Sequence, residues 1–110
     1  PLVSGVICHG GAGTVAEIAR GGRPMVTIPH MADQYFWGPR AASLGLGPAP
    51  IPHVALTAER VAAAVGELGP AGGRATELAR RIATEDGPAH AVIAIEGAAE
   101  GRPRVAKGDL

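Results

Sequence analysis

The run ICHGGAGTVAEIARGG, residues 7–22, passes from an apolar stretch through small and polar residues into a segment of helical periodicity. Gly10, Gly11 and Gly13 withhold side chains where the backbone must turn and where another group can approach closely. A helix opening near Thr14 aims unpaired N–H groups into that space, and its dipole favours an anion there. Thr14 adds a hydroxyl donor, and the ring of His9 adds another. In outline this is a phosphate-binding turn. The alternative is a glycine turn that merely packs a helix on a strand.

Two familiar phosphate loops can be compared with it. A Walker A loop needs Lys beside Ser or Thr after its second glycine, and here Thr14 follows Gly13 with no lysine. A dinucleotide fingerprint fits better, since Gly11, Gly13 and Ala16 satisfy G-x-G-x-x-G/A and Asp33 lies 20 residues beyond Gly13. The fingerprint acid should end the second strand, however, whereas Asp33 stands after Pro29 where a helix begins. A dinucleotide-binding piece of an NAD(P)-dependent oxidoreductase is therefore kept as the alternative reading.

The elements that must hold these residues alternate. Leu2–Cys8 reads as a strand, Thr14–Arg20 as a short helix stopped by Gly21-Gly22, and Pro24–Ile28 as a second, buried strand. Asp33–Leu44 reads as a helix interrupted or bent near Gly38-Pro39. Residues 45–52 give at most an irregular edge strand, because prolines cannot donate ladder hydrogen bonds. Thr57 is a natural N-cap for a helix with Val61, Val65 and Leu68 inward, ended by Gly69-Pro70. A further helix over Arg74–Thr84 places Leu78 and Ile82 inward and a Glu77–Arg81 pair outward, and Pro88 opens a last helix to about Ile95. Such alternation predicts an α/β fold with a parallel sheet, which binds ligands beyond the carboxyl ends of its strands. The turns at His9 and Asp33 both fall there.

Composition narrows the classes. The 110 residues carry ten Lys/Arg and ten Asp/Glu, so no basic footprint for nucleic acid is present. With three aromatics and 17 glycines, the core must be aliphatic and the turns tight. Cys8 is the sole cysteine, which excludes an internal disulfide or a cysteine-based metal site and suits a reducing compartment. No apolar run reaches the roughly 20 residues of a membrane span. Because the chain opens at Pro1 close to a strand, the expectation is a segment of a larger protein.

The block HGGAGTVAE, followed by Pro24, Pro29 and ADQYFWG at 32–38, resembles the C-terminal donor-binding signature of nucleotide-sugar glycosyltransferases of the two-domain GT-B fold. The runs LGLGPAPIP and LTAERVAAAV make it most similar to sterol glucosyltransferases and bacterial natural-product glycosyltransferases. The resemblance covers about residues 5–96 and implies the incomplete C-terminal part of a GT-B fold, with a Rossmann-like parallel sheet and flanking helices. It divides the chain into a partial nucleotide-sugar-binding domain, 1–96, and a flexible tail, 97–110.

By that resemblance His9, Gly10, Gly11, Ala12, Gly13 and Thr14 hold the donor diphosphate, Glu17 holds the ribose, and Asp33 and Gln34 hold the transferred sugar. The implied function is an inverting transfer of a hexose from a UDP-sugar to a hydroxyl of a lipid, sterol or other small molecule. The acceptor base and pocket belong to an N-terminal domain outside the chain, so the chain alone is expected to be inactive. No cofactor or metal is implied, and no Asp-x-Asp pair is present to bind one. The expected location is cytoplasmic, with peripheral attachment to a membrane as a variant. In related plant enzymes the position of Gly13 often carries a side-chain amide, so that sugar contact does not carry over.

Each assignment has a structural rival. Thr14-x-x-Glu17 is also a capping box, Asp33 can simply cap its own helix, and Gln34 can be solvated. Tyr35, Phe36 and Trp37 are expected to pack their helix on the sheet rather than stack on a base. His30 borders the sugar residues as a loop histidine, His53 and His90 have no partners that suggest catalysis or a metal site, and Cys8 reads as a small apolar group. A catalytically silent binding remnant is the third functional class.

Overall fold

The computed structural model describes residues 2–101. The chain runs through strand β1 (Val6–Cys8), helix α1 (Ala12–Arg20), strand β2 (Met25–Thr27) and helix α2 (Gln34–Ser43). A 3-10 turn (His53–Ala55) then leads to helices α3 (Ala58–Gly66), α4 (Leu68–Ile82) and α5 (Gly87–Ala99). β1 and β2 pair in parallel with Val6 opposite Met25 and Cys8 opposite Thr27. A parallel pair requires a crossover, and α1 supplies it. The α/β expectation holds, as a small parallel sheet flanked by helices.

β2 is the centre of the molecule. Successive side chains of a strand face opposite ways, so Met25 enters a cluster with Val15, Ala19, Ala41, Leu46 and Ala75, while Val26 joins Ile51 and Ala64 on the other face. Only aliphatic and small residues fill both clusters, as the composition required. α1 is rich in alanine on this side, and an apolar cavity of about 320 Å³ remains between α1, α2 and α4, bordered by Trp37 and Leu78.

The expected edge strand over 45–52 is a proline-interrupted segment rather than a strand. It lies along β2 and exchanges backbone bonds where it can: Met25 N–H donates to the Leu46 carbonyl at 2.7 Å, Ile51 N–H to Thr27 at 3.0 Å, and His53 N–H to Pro29 at 3.2 Å. Pro48, Pro50 and Pro52 have no N–H to extend the ladder. The approach is close enough that a Cβ on Gly47 would stand 1.9 Å from the Met25 carbonyl oxygen.

Other boundaries shift for identifiable reasons. β1 begins at Val6 rather than Leu2, because ladder bonding to β2 starts there, and Leu2 and Val3 are exposed. α2 continues through Pro39 without the expected interruption. It is anchored on both sides of the proline: a Cβ on Gly38 would stand 2.9 Å from Thr27 Oγ1, and Ala41 is buried in the core. α4 begins at Leu68, so Gly69-Pro70 opens it instead of ending the previous helix. Pro70 falls in the first turn, where a missing N–H costs no internal bond.

Thr57 caps α3 as expected, accepting from Arg60 N–H at 3.2 Å. The inward face of α3 centres on Ala64, and Val65 is 44% exposed. On α4, Leu78 and Ile82 pack inward, but Glu77 pairs with Arg74 at 2.9 Å rather than with Arg81. α5 opens at Gly87-Pro88 with Asp86 accepting from Ala89 N–H at 3.0 Å, and runs to Ala99, past the expected end at Ile95. Residues 97–99 of the expected tail are thus helical, and residues 102–110 lie outside the described residues. Val92, Ile93 and Ile95 of α5 are exposed. Among the described residues no helix is long and apolar enough to cross a membrane.

Candidate functional site

Residues 9–11 form the turn between the end of β1 and the start of α1. Gly10 has φ +87°, the left-handed region, and a Cβ there would also touch Thr27 at 3.4 Å, so the fold itself demands glycine. Gly11 is the extended N-cap residue, and the His9 ring occupies its missing side chain's place, with Nε2 2.6 Å from where a Cβ would stand. Gly13 differs from both. Nothing lies within 4 Å of its Cβ position, so no packing within the chain calls for a glycine there.

α1 starts at Ala12, two residues earlier than expected, and its first internal bond runs from Val15 N–H to the Gly11 carbonyl at 2.9 Å. The Gly13 and Thr14 amides therefore belong to the unpaired first turn. The Ala12 amide is taken: it donates to Asp33 Oδ2 at 3.1 Å, across 21 residues of sequence. The carboxylate sits where the helix dipole favours negative charge. Asp33 precedes α2, but its side chain makes no capping bond to that helix, so the rival role as cap of its own helix is replaced by a tie between the two turns.

Gln34 is not simply solvated either. Its Oε1 accepts from His30 N–H at 2.8 Å and Met31 N–H at 3.2 Å, which closes the loop after β2 and leaves its amide nitrogen as the group able to meet a ligand. Within that loop Ala32 adopts φ 49°, a left-handed conformation unusual for alanine that these bonds hold in place.

The rival capping box at Thr14 and Glu17 does not form, because the helix begins at Ala12 and Gly11 is its cap with no side-chain bond. Glu17 is exposed and pairs with Arg20 one turn on. Gly13 and Glu17 stand four residues apart on one helical face, so an open strip leads from the free amides to the Glu17 carboxylate.

The surrounding residues divide differently from expectation. Three consecutive residues of a helix point about 100° apart and cannot all face a sheet. Trp37 packs against the core, while Tyr35 and Phe36 are exposed, with the Phe36 and Trp37 rings edge to face at 5.0 Å. The His30 and His53 rings stack at 4.8 Å with planes 10° apart, and His30 Nδ1 donates to the Ile28 carbonyl at 2.7 Å. Their separation of 23 residues concealed this contact. Cys8 is half-buried, and burial raises its thiol pKa above the ordinary value, with a hydrogen bond from the Gly10 backbone acting weakly the other way. Its half-buried position suits a small packing group and gives no feature that would activate a thiolate. Among the described residues no three His, Cys, Asp or Glu side chains gather into a metal-ligand group.

Comparison with known proteins agrees with the motif. Residues 3–36 match the glycosyltransferase family 28 C-terminal domain. The chain is 43% identical over 96 residues to a sterol 3-beta-glucosyltransferase of Arabidopsis thaliana, covering 86% of this chain and 16% of that protein. It is 37% identical over 105 residues to O-mycaminosyltylonolide 6-deoxyallosyltransferase of Streptomyces fradiae, covering 93% and 25% respectively. A UDP-sugar-dependent glycosyltransferase of Dictyostelium discoideum is 47% identical over 57 residues, covering 52% of this chain and 3% of that protein. The chain thus spans a quarter or less of the length of these relatives. The oxidoreductase alternative falls with these matches, and Asp33 tied to Ala12 is not the strand-end acid that a dinucleotide fingerprint needs. On this evidence the chain belongs to the glycosyltransferases, as part of the C-terminal, donor-binding domain of the GT-B fold.

Proposed function

We propose that this chain provides the donor-binding part of an inverting glycosyltransferase that moves a hexose from a UDP-sugar to a hydroxyl of a lipid, sterol or other small molecule. The observation that carries the reading is the open strip at the start of α1. Free Gly13 and Thr14 amides, the His9 ring and the helix terminus meet at one end, and the Glu17 carboxylate lies one turn along. In this reading the diphosphate lies on the Gly10–Thr14 turn, Glu17 accepts from the ribose hydroxyls, and Asp33 and Gln34 meet the hexose. The name of the Dictyostelium relative supports uridine as the base.

The chemistry suits that arrangement. The acceptor oxygen attacks the anomeric carbon while the bond from that carbon to the diphosphate breaks, and negative charge grows on the departing diphosphate. Backbone amides fixed before the reaction stabilise that charge without reorganising, which lowers the barrier rather than merely tightening binding. The His9 ring N–H and the dipole of α1 act in the same direction. No metal is given a role in this reading. The acceptor's proton goes to a base in the N-terminal domain of the intact protein, whose location is taken to be cytoplasmic, free or peripherally at a membrane.

Titration of the intact protein with UDP-glucose, followed by calorimetry, tests the reading. UDP-glucose should bind, NADH should not, and Glu17→Gln should weaken UDP-glucose by roughly tenfold, the loss of one charge-assisted hydrogen bond. Unchanged affinity in Glu17→Gln would remove the ribose role, and a folded protein indifferent to UDP-glucose would favour the silent remnant.

A further inference from the structure

The Asp33–Ala12 bond places a carboxylate on the first amide of α1, beside the two amides that a donor phosphate would use. A diphosphate arriving at Gly13 and Thr14 brings negative charge next to a negative group already seated there. The two anions compete for one helix terminus. Resting on the donor-site reading above, we propose that Asp33 is a specificity-determining residue that discriminates the sugar nucleotide from the bare nucleoside diphosphate left after transfer.

The exchange runs as follows. In the empty site Asp33 Oδ2 accepts from the Ala12 N–H and acts as an internal anion that keeps the turn formed. A bound donor displaces the carboxylate from that amide. Its hexose hydroxyls then offer new donors to the same carboxylate, so the lost bond is replaced. Bare UDP displaces it equally but has no hexose to offer, leaving an exposed carboxylate with water in place of its partner and a like charge beside it on the phosphates. The site therefore holds product more weakly than the phosphate contacts alone would give, which favours release after each transfer. On α1 the fixed cation, Arg20, is paired with Glu17, and Gln34 Oε1 is committed to the His30 and Met31 amides.

The discriminating variant is Asp33→Asn, which can still accept from Ala12 N–H but carries no charge. In the intact protein, calorimetry with UDP should show binding about three- to tenfold tighter than wild type, as expected for removing a like charge at an exposed site. UDP-glucose should bind no tighter, so the ratio of the two affinities shifts. If Asp33 only contacted sugar, UDP affinity would not change, and that result overturns the proposal. Should the variant fail to fold, the wild type decides the matter. Its Asp33 carboxyl carbon resonance should move on saturation with UDP and stay in place with uridine, and a resonance indifferent to UDP refutes the exchange. A wild-type protein that binds neither UDP nor UDP-glucose removes the donor-site reading itself, and the exchange with it.

Discussion

Replacing Gly47 with alanine should disrupt the fold far more than its surface position in the sequence suggests. The backbone there needs no left-handed conformation, so the effect comes wholly from the added methyl group. Its Cβ would stand 1.9 Å from the Met25 carbonyl oxygen, against an ordinary contact of 3.4 Å or more. Because the opposing atom is backbone in the central strand, no side chain can swing aside. Segment 45–52 and β2 must part by roughly 1.5 Å, which stretches the Met25–Leu46 bond well beyond hydrogen-bonding range. A buried amide left unpaired costs about 1–3 kcal/mol, and drawing the buried Leu46 partly out of its cluster adds about 1–2 kcal/mol. The sum is about 2–5 kcal/mol, or roughly 10–25 °C in Tm for a domain of this size. Urea and thermal unfolding followed by circular dichroism measure it. Gly72→Ala is the control: it lies in the interior of α4 with nothing within 4 Å of its Cβ position, and should stabilise by about 0.5–1 kcal/mol. A Gly47→Ala variant within about 1 kcal/mol of wild type would refute the reasoning, since the close approach would then cost little to relax.

Gly13→Ala should split stability from binding. With open space around it, the alanine should stabilise α1 by up to about 0.5 kcal/mol while weakening UDP-glucose severalfold, as Tm and calorimetry would show; equal donor affinity would mean that the ligand does not approach there. Cys8 predicts an alkaline weakness. Burial raises its thiol pKa in the folded state, so between the unfolded and folded titrations the native state keeps a proton the unfolded chain has lost, and stability falls as pH rises. The urea midpoint should therefore drop more steeply above about pH 9 in wild type than in Cys8→Ser; parallel slopes would contradict the burial effect.

The sequence by itself marked out the residues of the candidate site and their local frame. Residues 9–14, Glu17 and Asp33-Gln34 are legible because glycines at a strand-to-helix turn and a helix N-terminus have local physical meaning, and because their joint spacing resembles one family. The parallel β1-α1-β2 unit, the Thr57 cap and the inward Leu78 and Ile82 followed from periodicity and capping. What only the tertiary structure decided are contacts between residues far apart in the chain. The Asp33 carboxylate on the Ala12 amide, the His30–His53 stack, and Gly38 and Gly47 pressed against β2 arise when separate segments converge. Pro39 and Pro70 inside helices have the same origin or a positional one: burial on both sides carries α2 through its proline, and the first turn of α4 has no bond for Pro70 to lose. Local preferences are worth a few tenths of a kcal/mol to about 1 kcal/mol for most residues and about 3 kcal/mol for a proline in a helix interior, and packing against a buried strand outweighs them.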